Sequence, residues 1–293
     1  MKNFLTRLIA NSRIFFTKLI GVKNTIRILY FLKNGKIFNT KTKEVSYNYE
    51  INLRKFSYNN LLFPIITNKY LVREYVANTI GEQYLVPLLN VFSKPKDFLN
   101  SKLSYPCIIK TSSGSGSRNF LILISSNEKK DFPLKKALTN EFYIDYGYSF
   151  CETWYSKSPK YIIVEKLLEF DYHRDYEIKV YIFNHKNYSD FIFRVIKDRT
   201  LNKSSSFYDQ NWNFLNITYN NGKSHNPIHK PLFLDEIKNL SIKLTQGINF
   251  ARVDFMIINS KIYFGEITLA DTSGFIKFNP SSFDHYFGSL IFD

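Results

Sequence analysis

Two apolar runs near the end of the chain place the strongest constraint on its fold. Residues 251–258 and 261–268 are rich in β-branched and aromatic residues, and only Asn259 and Ser260 separate them. This pattern predicts a β-hairpin. The polar side chains away from its turn are Arg252, Asp254, Glu266 and Thr268. Because side chains alternate between the two faces of a strand, the two polar residues of each strand share a face.

The length of the turn decides whether those two faces coincide. A loop of odd length, for instance residues 259–261, pairs Asp254 directly with Glu266. A two-residue loop at 259–260 instead places Gly265 opposite Asp254 and turns Glu266 to the other face. The sequence leaves both registers open.

Paired carboxylates at this place have a specific chemical use. In the odd register their Cβ atoms lie about 5 Å apart, and like charges directly opposite destabilise a sheet unless they are neutralised. Mg²⁺ neutralises such a pair, since it takes one or two carboxylates together with phosphate oxygens. The alternative is that both acids mark solvated strand ends.

A serine- and glycine-rich loop follows Lys110, between β-type runs at 107–110 and 119–124. Backbone N–H groups and hydroxyls of such a loop can bind phosphate oxygens, and Lys110 can add a positive charge. The loop, residues 111–117, is not a Walker A motif, because no Gly-Lys-Ser/Thr follows and a strand comes next. A flexible loop without a ligand is the alternative.

A third candidate is the apolar strand at 161–165, which runs into Glu165 and Lys166. Its backbone could face an adenine edge and its carboxylate a ribose, or it could be a core strand with an exposed end. Lys179 and Arg194, in the predicted hairpin that follows, could point at phosphates or at solvent.

Helices and hairpins alternate with few βαβ units, which predicts an α+β class with mainly antiparallel sheets. We expect helices at 66–81, 132–156 and 235–247, a strand at 84–89, a hairpin from 177–183 and 188–195, and a long loop at 200–232. Asn68 and Asp235 are the expected N-caps of the first and third helices.

Positive charge is concentrated at the N-terminus. The formal net charge is +15, yet residues 1–43 hold ten Lys or Arg and no acid, among apolar residues close to helical spacing. Three interpretations stay open: a helix packed on its own domain with a solvated basic face, contact with an anionic membrane surface, or contact with nucleic acid, which is the least favoured.

Several functional classes lack support. Cys107 and Cys151 have no CxxC spacing, so we expect them to be reduced and Cys107 to be buried. The five histidines are scattered and form no metal trio with cysteine, and neither a GxSxG motif nor a Rossmann loop is present.

The order of these features resembles the ATP-grasp superfamily: a strand ending in Lys110, a Gly/Ser loop, a strand ending in Glu165-Lys166, and a last hairpin with Arg-x-Asp and Gly-Glu-x-Thr. It is more similar to the TupA-like branch, which is associated with teichuronopeptide and capsular polysaccharide synthesis. The matching stretches are residues 68–76, 80–89, 251–255, 262–268 and 273–275, within a span of about 50–290.

This resemblance implies an ATP-grasp fold, in which two α+β lobes with mainly antiparallel sheets clasp the nucleotide. The implied division is a basic helical segment at 1–45, a pre-grasp helical region at 46–99, a small lobe with the Gly/Ser loop at 100–168, and a large lobe with the metal site at 169–293. It also implies ATP and Mg²⁺ as cofactors.

The implied roles, residue by residue, fall into four groups. The metal ligands are Asp254, Glu266 and Thr268, and the catalytic residue is Arg252. The ATP-binding residues are Arg73, Lys110, Ser113, Gly114, Ser115, Gly116, Ser117, Glu165, Lys166, Leu167, Leu168 and Lys179. The substrate-binding residues are Ser273 and Gly274.

Two stretches depart from the TupA-like pattern. Residues 112–116 read Ser-Ser-Gly-Ser-Gly where the family usually has Asn-His-Gly-Ser-Gly, and residues 270–274 lack the usual Pro and one Gly. The first bears on phosphate handling and the second on the acceptor.

The implied function is an ADP-forming carboxylate–amine ligase. Its partners would be a small-molecule or nucleotide-sugar carboxylate, such as a uronic acid of a polysaccharide precursor, and an amine. The expected location is cytoplasmic, with the inner face of the cell membrane left open. The alternative is a nucleotide-binding protein of a polysaccharide assembly complex that does not ligate.

Overall fold

Helices and antiparallel sheets alternate along the chain. The structure, a computed structural model, describes residues 2–41, 44–114, 119–171, 173–198, 204–220, 222–224 and 227–292. The helices are α1 (Lys2–Ile20), α2 (Val22–Asn34), α3 (Tyr47–Ser57), α4 (Phe63–Ile66), α5 (Val72–Thr79), α6 (Pro95–Asn100), α7 (Glu128–Phe142), α8 (Tyr146–Phe150), α9 (Leu234–Leu244) and α10 (Ser282–Ser289).

The strands confirm the predicted α+β class with antiparallel pairing. They are β1 (Leu88–Phe92), β2 (Cys107–Thr111), β3 (Phe120–Leu123), β4 (Ile162–Lys166), β5 (Tyr176–Asn184), β6 (Ser189–Asp198), β7 (Ser204–Tyr208), β8 (Phe214–Leu215), β9 (Thr218–Tyr219), β10 (Phe250–Ile258), β11 (Lys261–Thr268) and β12 (Phe278–Asn279).

The first of two structural units contains Met1–Thr25, Tyr58–Tyr75 and Leu85–Glu169. Its sheet has the order β1-β4-β2-β3. One face of the central strands buries apolar side chains against α6 and α7, namely Cys107, Ile109, Ile162 and Val164, with Phe98 and Leu138. Because side chains alternate, the other face of the same strands carries Lys110 and Glu165.

The second unit contains Ile26–Ser57, Val76–Tyr84 and Phe170–Asp293. Its six-stranded sheet has the order β11-β10-β5-β6-β7-β8, and β12 pairs with β9 in a small second sheet. The ring of Tyr47, in α3, contacts rings on both sheets and on α10: Tyr181, Phe183, Phe250, Phe278 and Phe287. These aromatic contacts fix α3 against the centre of the large sheet.

The helix predicted over residues 66–81 is too long. The chain forms α4 and α5 instead, and Asn68 lies between them. Its side-chain oxygen accepts hydrogen bonds from the N–H groups of Tyr70 and Leu71, at 3.0 and 3.2 Å. A side chain that binds backbone N–H groups in this way competes with helical hydrogen bonds, so the apolar periodicity concealed an interruption.

Other element ends also differ from the predictions. The helix expected at 132–156 is divided into α7 and α8, because Asp145 caps a new start by accepting from the Tyr148 N–H. The N-cap of α9 is Phe233 rather than Asp235. The strand expected at 84–89 lies at Leu88–Phe92.

The prediction of a long loop at residues 200–232 is wrong. The described part of this stretch contains β7, β8 and β9. Two of these strands have only two residues, too few for a periodic pattern, and three of the five residues of the third are serine. β7 pairs with β6 and β8, and β9 pairs with β12 near the end of the chain, so pairing and not local periodicity defines these strands.

The basic N-terminal segment forms two helices, α1 and α2, which Gly21 separates at a φ of 83°. Within the first unit, α1 packs against α8. None of the described helices is both long and apolar enough to cross a lipid bilayer. Cys107 and Cys151 are both buried free thiols, as expected. The four-part division of the chain remains a prediction.

The acid Glu50 provides a test of the packing of α3. It is 8% exposed, and burial raises its pKa to about 6 from 4.5, although Arg54 lowers it in part. The folded state therefore holds this proton more tightly than the unfolded chain does. The sign follows: protonation favours folding, and stability falls as the pH rises through this range.

We expect Glu50→Gln to stabilise the protein by about 2 kcal/mol at about pH 7.5, and to have almost no effect at about pH 4. Urea unfolding at the two pH values measures the difference. The exposed Glu74, in α5, gives the control Glu74→Gln, which should change stability little at either pH. An equal gain from Glu50→Gln at both pH values would contradict the assignment.

Candidate active site

The last hairpin has a two-residue turn. Ile258 lies opposite Lys261, and the two residues between them have φ of 51° and 58°. Positive φ at both positions is the geometry whose twist matches that of the flanking strands. The sequence left two turn lengths open. The two-residue turn is the one that was expected to place Asp254 and Glu266 on opposite faces.

The carboxylates are nevertheless direct partners, because a β-bulge shifts the register. Phe255 lies opposite Phe264, but Asp254 lies opposite Glu266, so Gly265 is an extra residue in β11. The inference that a two-residue turn would part Asp254 from Glu266 is therefore wrong. A Cβ atom at Gly265 would lie 3.0 Å from the Asp254 carbonyl oxygen, which accounts for glycine in the bulge.

The guanidinium of Arg252 joins the polar groups on this face. Its Nε donates to Asp254 Oδ1 at 2.7 Å, and its Nη2 lies 3.0 Å from Asp254 Oδ2. The same Nη2 lies 3.1 Å from Glu266 Oε1 and 3.0 Å from Thr268 Oγ1. Arg252 is 7% exposed, so these contacts replace water around a buried charge.

Arg252 has another carboxylate partner, Asp271, which sequence reasoning did not assign. Its Oδ1 lies 2.7 Å from Arg252 Nη1. The Tyr181 hydroxyl donates to Oδ2 at 2.6 Å and the Tyr219 hydroxyl donates to Oδ1 at 2.8 Å. Burial alone would raise the pKa of Asp271, but Arg252 and the two hydroxyls lower it well below its ordinary range. Asp271 is therefore ionised and holds the guanidinium.

Lys179 lies opposite Asp254 on β5 and forms an ion pair with Asp254 Oδ2. Its Nζ also lies 2.8 Å from Glu177 Oε1. The side chain is 11% exposed and engaged with carboxylates, so it does not point to solvent. Its role in binding phosphate remains a prediction. Glu177 is a second member of the site that sequence reasoning missed.

The segment after β11 is held by α3. The amide of Asn52 donates to the Gly274 carbonyl at 2.9 Å, and Lys55 Nζ donates to the Ser273 carbonyl at 2.8 Å. Gly274 is buried, and a Cβ atom there would lie 2.8 Å from Ile51. The role of Ser273 and Gly274 in substrate binding remains a prediction.

The first unit brings together three of the residues expected to bind ATP. Glu165, 5% exposed, accepts from Arg73 Nη1 at 2.7 Å with one oxygen and from Lys110 Nζ at 2.7 Å with the other. The two cations lie side by side because a single carboxylate holds both. Arg73 also donates to the Val86 carbonyl at 2.8 Å, which fixes its direction.

The start of the Gly/Ser loop is anchored. The hydroxyl of Thr111 donates to the Ser113 carbonyl at 3.0 Å, and Ser112 exchanges hydrogen bonds with the backbone of Tyr161. Lys69 Nζ donates to the Gly114 carbonyl at 2.8 Å, a contact that no sequence pattern indicated. Ser115, Gly116 and Ser117 lie outside the described residues.

The expected adenine hinge follows β4. The N–H of Lys166 donates to the Pro87 carbonyl at 2.9 Å and that of Leu167 to the Pro106 carbonyl at 3.4 Å. Among the described residues, the N–H of Leu168 has no such partner. Of these three N–H groups, that of Leu168 is therefore the one still available as a donor, and the role of the hinge in binding adenine remains a prediction.

A family model for TupA-like ATPgrasp proteins matches residues 49–292. The chain belongs to the TupA-like ATP-grasp family. Its α+β architecture is accordingly an ATP-grasp fold, as the resemblance implied. No curated protein matches the chain.

Solved structures similar to this TupA-like chain include D-alanine–D-alanine ligases. That of Helicobacter pylori has 16% identity and a TM-score of 0.45 over 78% of this chain and 60% of that one. That of Bacillus anthracis has 16% identity and a TM-score of 0.41 over 78% and 66%.

A third is N5-carboxyaminoimidazole synthetase of Staphylococcus aureus complexed with ADP, with 16% identity and a TM-score of 0.42 over 70% and 45%. The TupA-like chain thus spans less than two thirds of the length of each of these three proteins. The family assignment rests on the family match alone.

The donor set of this TupA-like protein fits Mg²⁺. Direct ion pairs join the carboxylates Asp254, Glu266, Glu177 and Asp271 to the cations Arg252 and Lys179. Arg194 adds one more positive charge near Asp271, so carboxylates still outnumber cations. No group of three His, Cys, Asp or Glu suited to a metal occurs among the described residues. A hard cation that takes two carboxylates and completes its shell with phosphate oxygens suits this set.

The bulge predicts a specific sensitivity at Gly265. We expect Gly265→Ala to lower the free energy of unfolding by about 1–2 kcal/mol, because the added methyl group would press on Asp254. The control Lys261→Ala, exposed on the same strand, should stay within about 0.5 kcal/mol of the parent protein. Urea unfolding measures both, and full tolerance of Gly265→Ala would refute the bulge geometry.

Proposed function

We propose that this protein is an ATP-dependent carboxylate–amine ligase. The observation that carries the proposal is the direct pairing of Asp254 with Glu266, with Arg252 bound to both. Like charges opposite each other in a sheet are unfavourable, and a buried charge network is often no more stable than apolar packing of similar volume. Its presence therefore calls for a functional reason. A site for a metal and a triphosphate is the purpose that the family membership supports.

The reaction has two steps. The γ-phosphoryl group of ATP passes to a carboxylate oxygen of the substrate, which gives an acyl phosphate and ADP. The nitrogen of an amine then attacks the acyl carbon, phosphate leaves, and the nitrogen loses a proton, which gives an amide. Both steps are accelerated chiefly by positioning the reactants and by neutralising charge that develops during the reaction.

Asp254, Glu266 and Thr268 would hold Mg²⁺. When bound, this ion neutralises phosphate charge during phosphoryl transfer. Glu266 is the carboxylate of the pair that solvent reaches more easily, with 31% of its side chain exposed, compared with 4% for Asp254.

Arg252 would stabilise negative charge on the reacting carboxyl group. Its guanidinium is held by Asp254 on one side and Asp271 on the other. A donor fixed in this way does not need to reorient as charge develops, and this is the usual source of its catalytic effect. We assign Asp271 the role of positioning Arg252.

Lys110 and Arg73 of the first unit would bind phosphate oxygens of ATP. Glu165 holds both cations through one carboxylate. It would therefore orient them, in addition to its expected place at the adenine hinge. Lys179 is also a proposed ATP-binding residue. The Gly/Ser loop, from Ser113 onward, would contribute N–H groups.

The substrate classes that we propose are those implied by the resemblance to TupA-like proteins. The carboxylate would be a uronic acid of a capsular or surface polysaccharide precursor, free or as a nucleotide sugar, and the amine an amino acid or amino alcohol. A thermal-shift screen with ATP·Mg²⁺ against these classes tests the choice. Release of ADP that depends on both a carboxylate and an amine would exclude a nucleotide-binding protein that does not ligate.

We expect Asp254→Asn and Glu266→Gln each to reduce Mg²⁺-dependent ADP release by at least about 10²-fold, because each removes a charge that the metal needs. ADP release at saturating ATP and varied Mg²⁺ is the measurement. Asp235→Asn, which neutralises an exposed acid of α9, is the matched control and should retain full activity.

Both site variants should keep the fold, and circular dichroism together with urea unfolding checks this. Turnover that survives in both variants would remove the metal site from Asp254 and Glu266. Loss of activity in the Asp235→Asn control would show that the assay reports general damage instead.

A further inference from the structure

The helix α1 presents an apolar face to solvent. Its exposed apolar side chains on that face, which surround Ser12, are Leu8 at 53%, Ile9 at 47%, Phe15 at 70%, Phe16 at 44% and Leu19 at 70%. At 100° per residue these positions fall within one stripe of the helix. Surface helices of folded domains normally bury such a stripe against the core, whereas α1 turns it towards solvent.

The opposite side of α1 is fixed to its own unit. Ala10 and Thr17 are buried on that side, and the helix packs on α8. Its basic residues flank the packed side: Arg13 lies 5.8 Å from the ring centroid of Phe150, and Lys18 lies 5.2 Å from that of Tyr148. These contacts set the rotation of the helix, so the apolar face is not free to turn inward.

Of the three interpretations that the sequence left open, the first required a solvated basic face. The helix does pack on its own unit, and Arg13 and Lys18 are exposed, but a broad apolar stripe between them also faces solvent. A contiguous exposed apolar surface of this kind is typical of an interaction site.

We propose that α1 binds the protein to an anionic lipid surface. A helix with Phe and Leu on one face and Lys or Arg beside it lies in the plane of a bilayer interface, with its apolar face among the acyl chains. The lysine and arginine stems reach the headgroups from the flanks. The proposal is independent of the ligase chemistry, because it concerns where the enzyme works.

The positive charge of residues 1–43, together with the apolar face, favours an anionic lipid surface over a second copy of the chain or nucleic acid. Residues 1–43 carry ten basic residues and no acid. A second copy of the chain would bring two such segments together, and they would repel each other. Nucleic acid would be attracted by the charge, but its phosphates would gain nothing from Phe15 and Leu19. Anionic lipid satisfies both the apolar face and the charge.

The next helix carries the same combination within the second unit. Ile28, Phe31 and Leu32 are exposed at 41%, 54% and 71%, and their spacing places them on one face of α2. This is an independent surface of the same character.

Co-sedimentation of the full chain with lipid vesicles tests the proposal. We expect binding to vesicles of phosphatidylglycerol and phosphatidylcholine, and at least about tenfold weaker binding to phosphatidylcholine alone. The double variant Phe15→Ser with Leu19→Ser should bind anionic vesicles at least about tenfold more weakly. The control pair Leu61→Ser with Leu232→Ser removes two leucines that are 89% and 97% exposed elsewhere, and should bind as the parent does.

A second measurement does not depend on losing binding. A tryptophan introduced as Phe15→Trp should be quenched by brominated acyl chains in anionic vesicles, whereas Leu61→Trp should not. Urea unfolding of all the variants should match that of the parent, since every changed side chain is exposed.

Three outcomes would overturn the proposal. One is vesicle binding that neither the lipid charge nor the α1 variant changes. Another is a dimer in sedimentation velocity without lipid that Phe15→Ser with Leu19→Ser dissociates. The last is salt-sensitive binding to single-stranded DNA without any binding to anionic vesicles.

Discussion

The buried charge of Arg252 is the constraint on which the second unit depends. Burial alone would lower its pKa, but the carboxylates of Asp254 and Asp271 raise it well above its ordinary value. A permanently charged group in this position has to be surrounded by partners, and they come from β10, β11 and the turn after β11. Because an apolar packing of similar volume is often at least as stable, retention of this network suggests selection for chemistry.

The sequence was sufficient for the hairpin and for the identity of its polar residues, but not for their register. Apolar periodicity and the polar positions predict β10 and β11 closely. The pairing of Asp254 with Glu266 depends on one extra residue, and counting residues from the turn cannot reveal it. Gly265 was the available signal, since an isolated glycine in a strand indicates a bulge or a close backbone approach.

Partners that come from distant parts of the chain were beyond sequence reasoning. Asp271 meets Tyr181 across 90 positions, and Glu165 meets Arg73 across 92. Thr272 and Ser273 have positive φ, and the turn they form is held by its own backbone hydrogen bonds together with Asn52 and Lys55 of α3. The packed side of α1 had the same origin: periodicity predicted a helix, but its contacts with α8 determine which side is packed.

The charge balance of the hairpin bears on how ligands enter. Asp254 Oδ1 and Oδ2 are both engaged, by Arg252 and Lys179, so a metal ion at Asp254 must compete with two cations. A bound phosphate group would relieve that competition, because it would offer Lys179 another anion. A triphosphate alone would instead meet an excess of carboxylates. We therefore expect metal and nucleotide to bind this network jointly and each to strengthen the binding of the other.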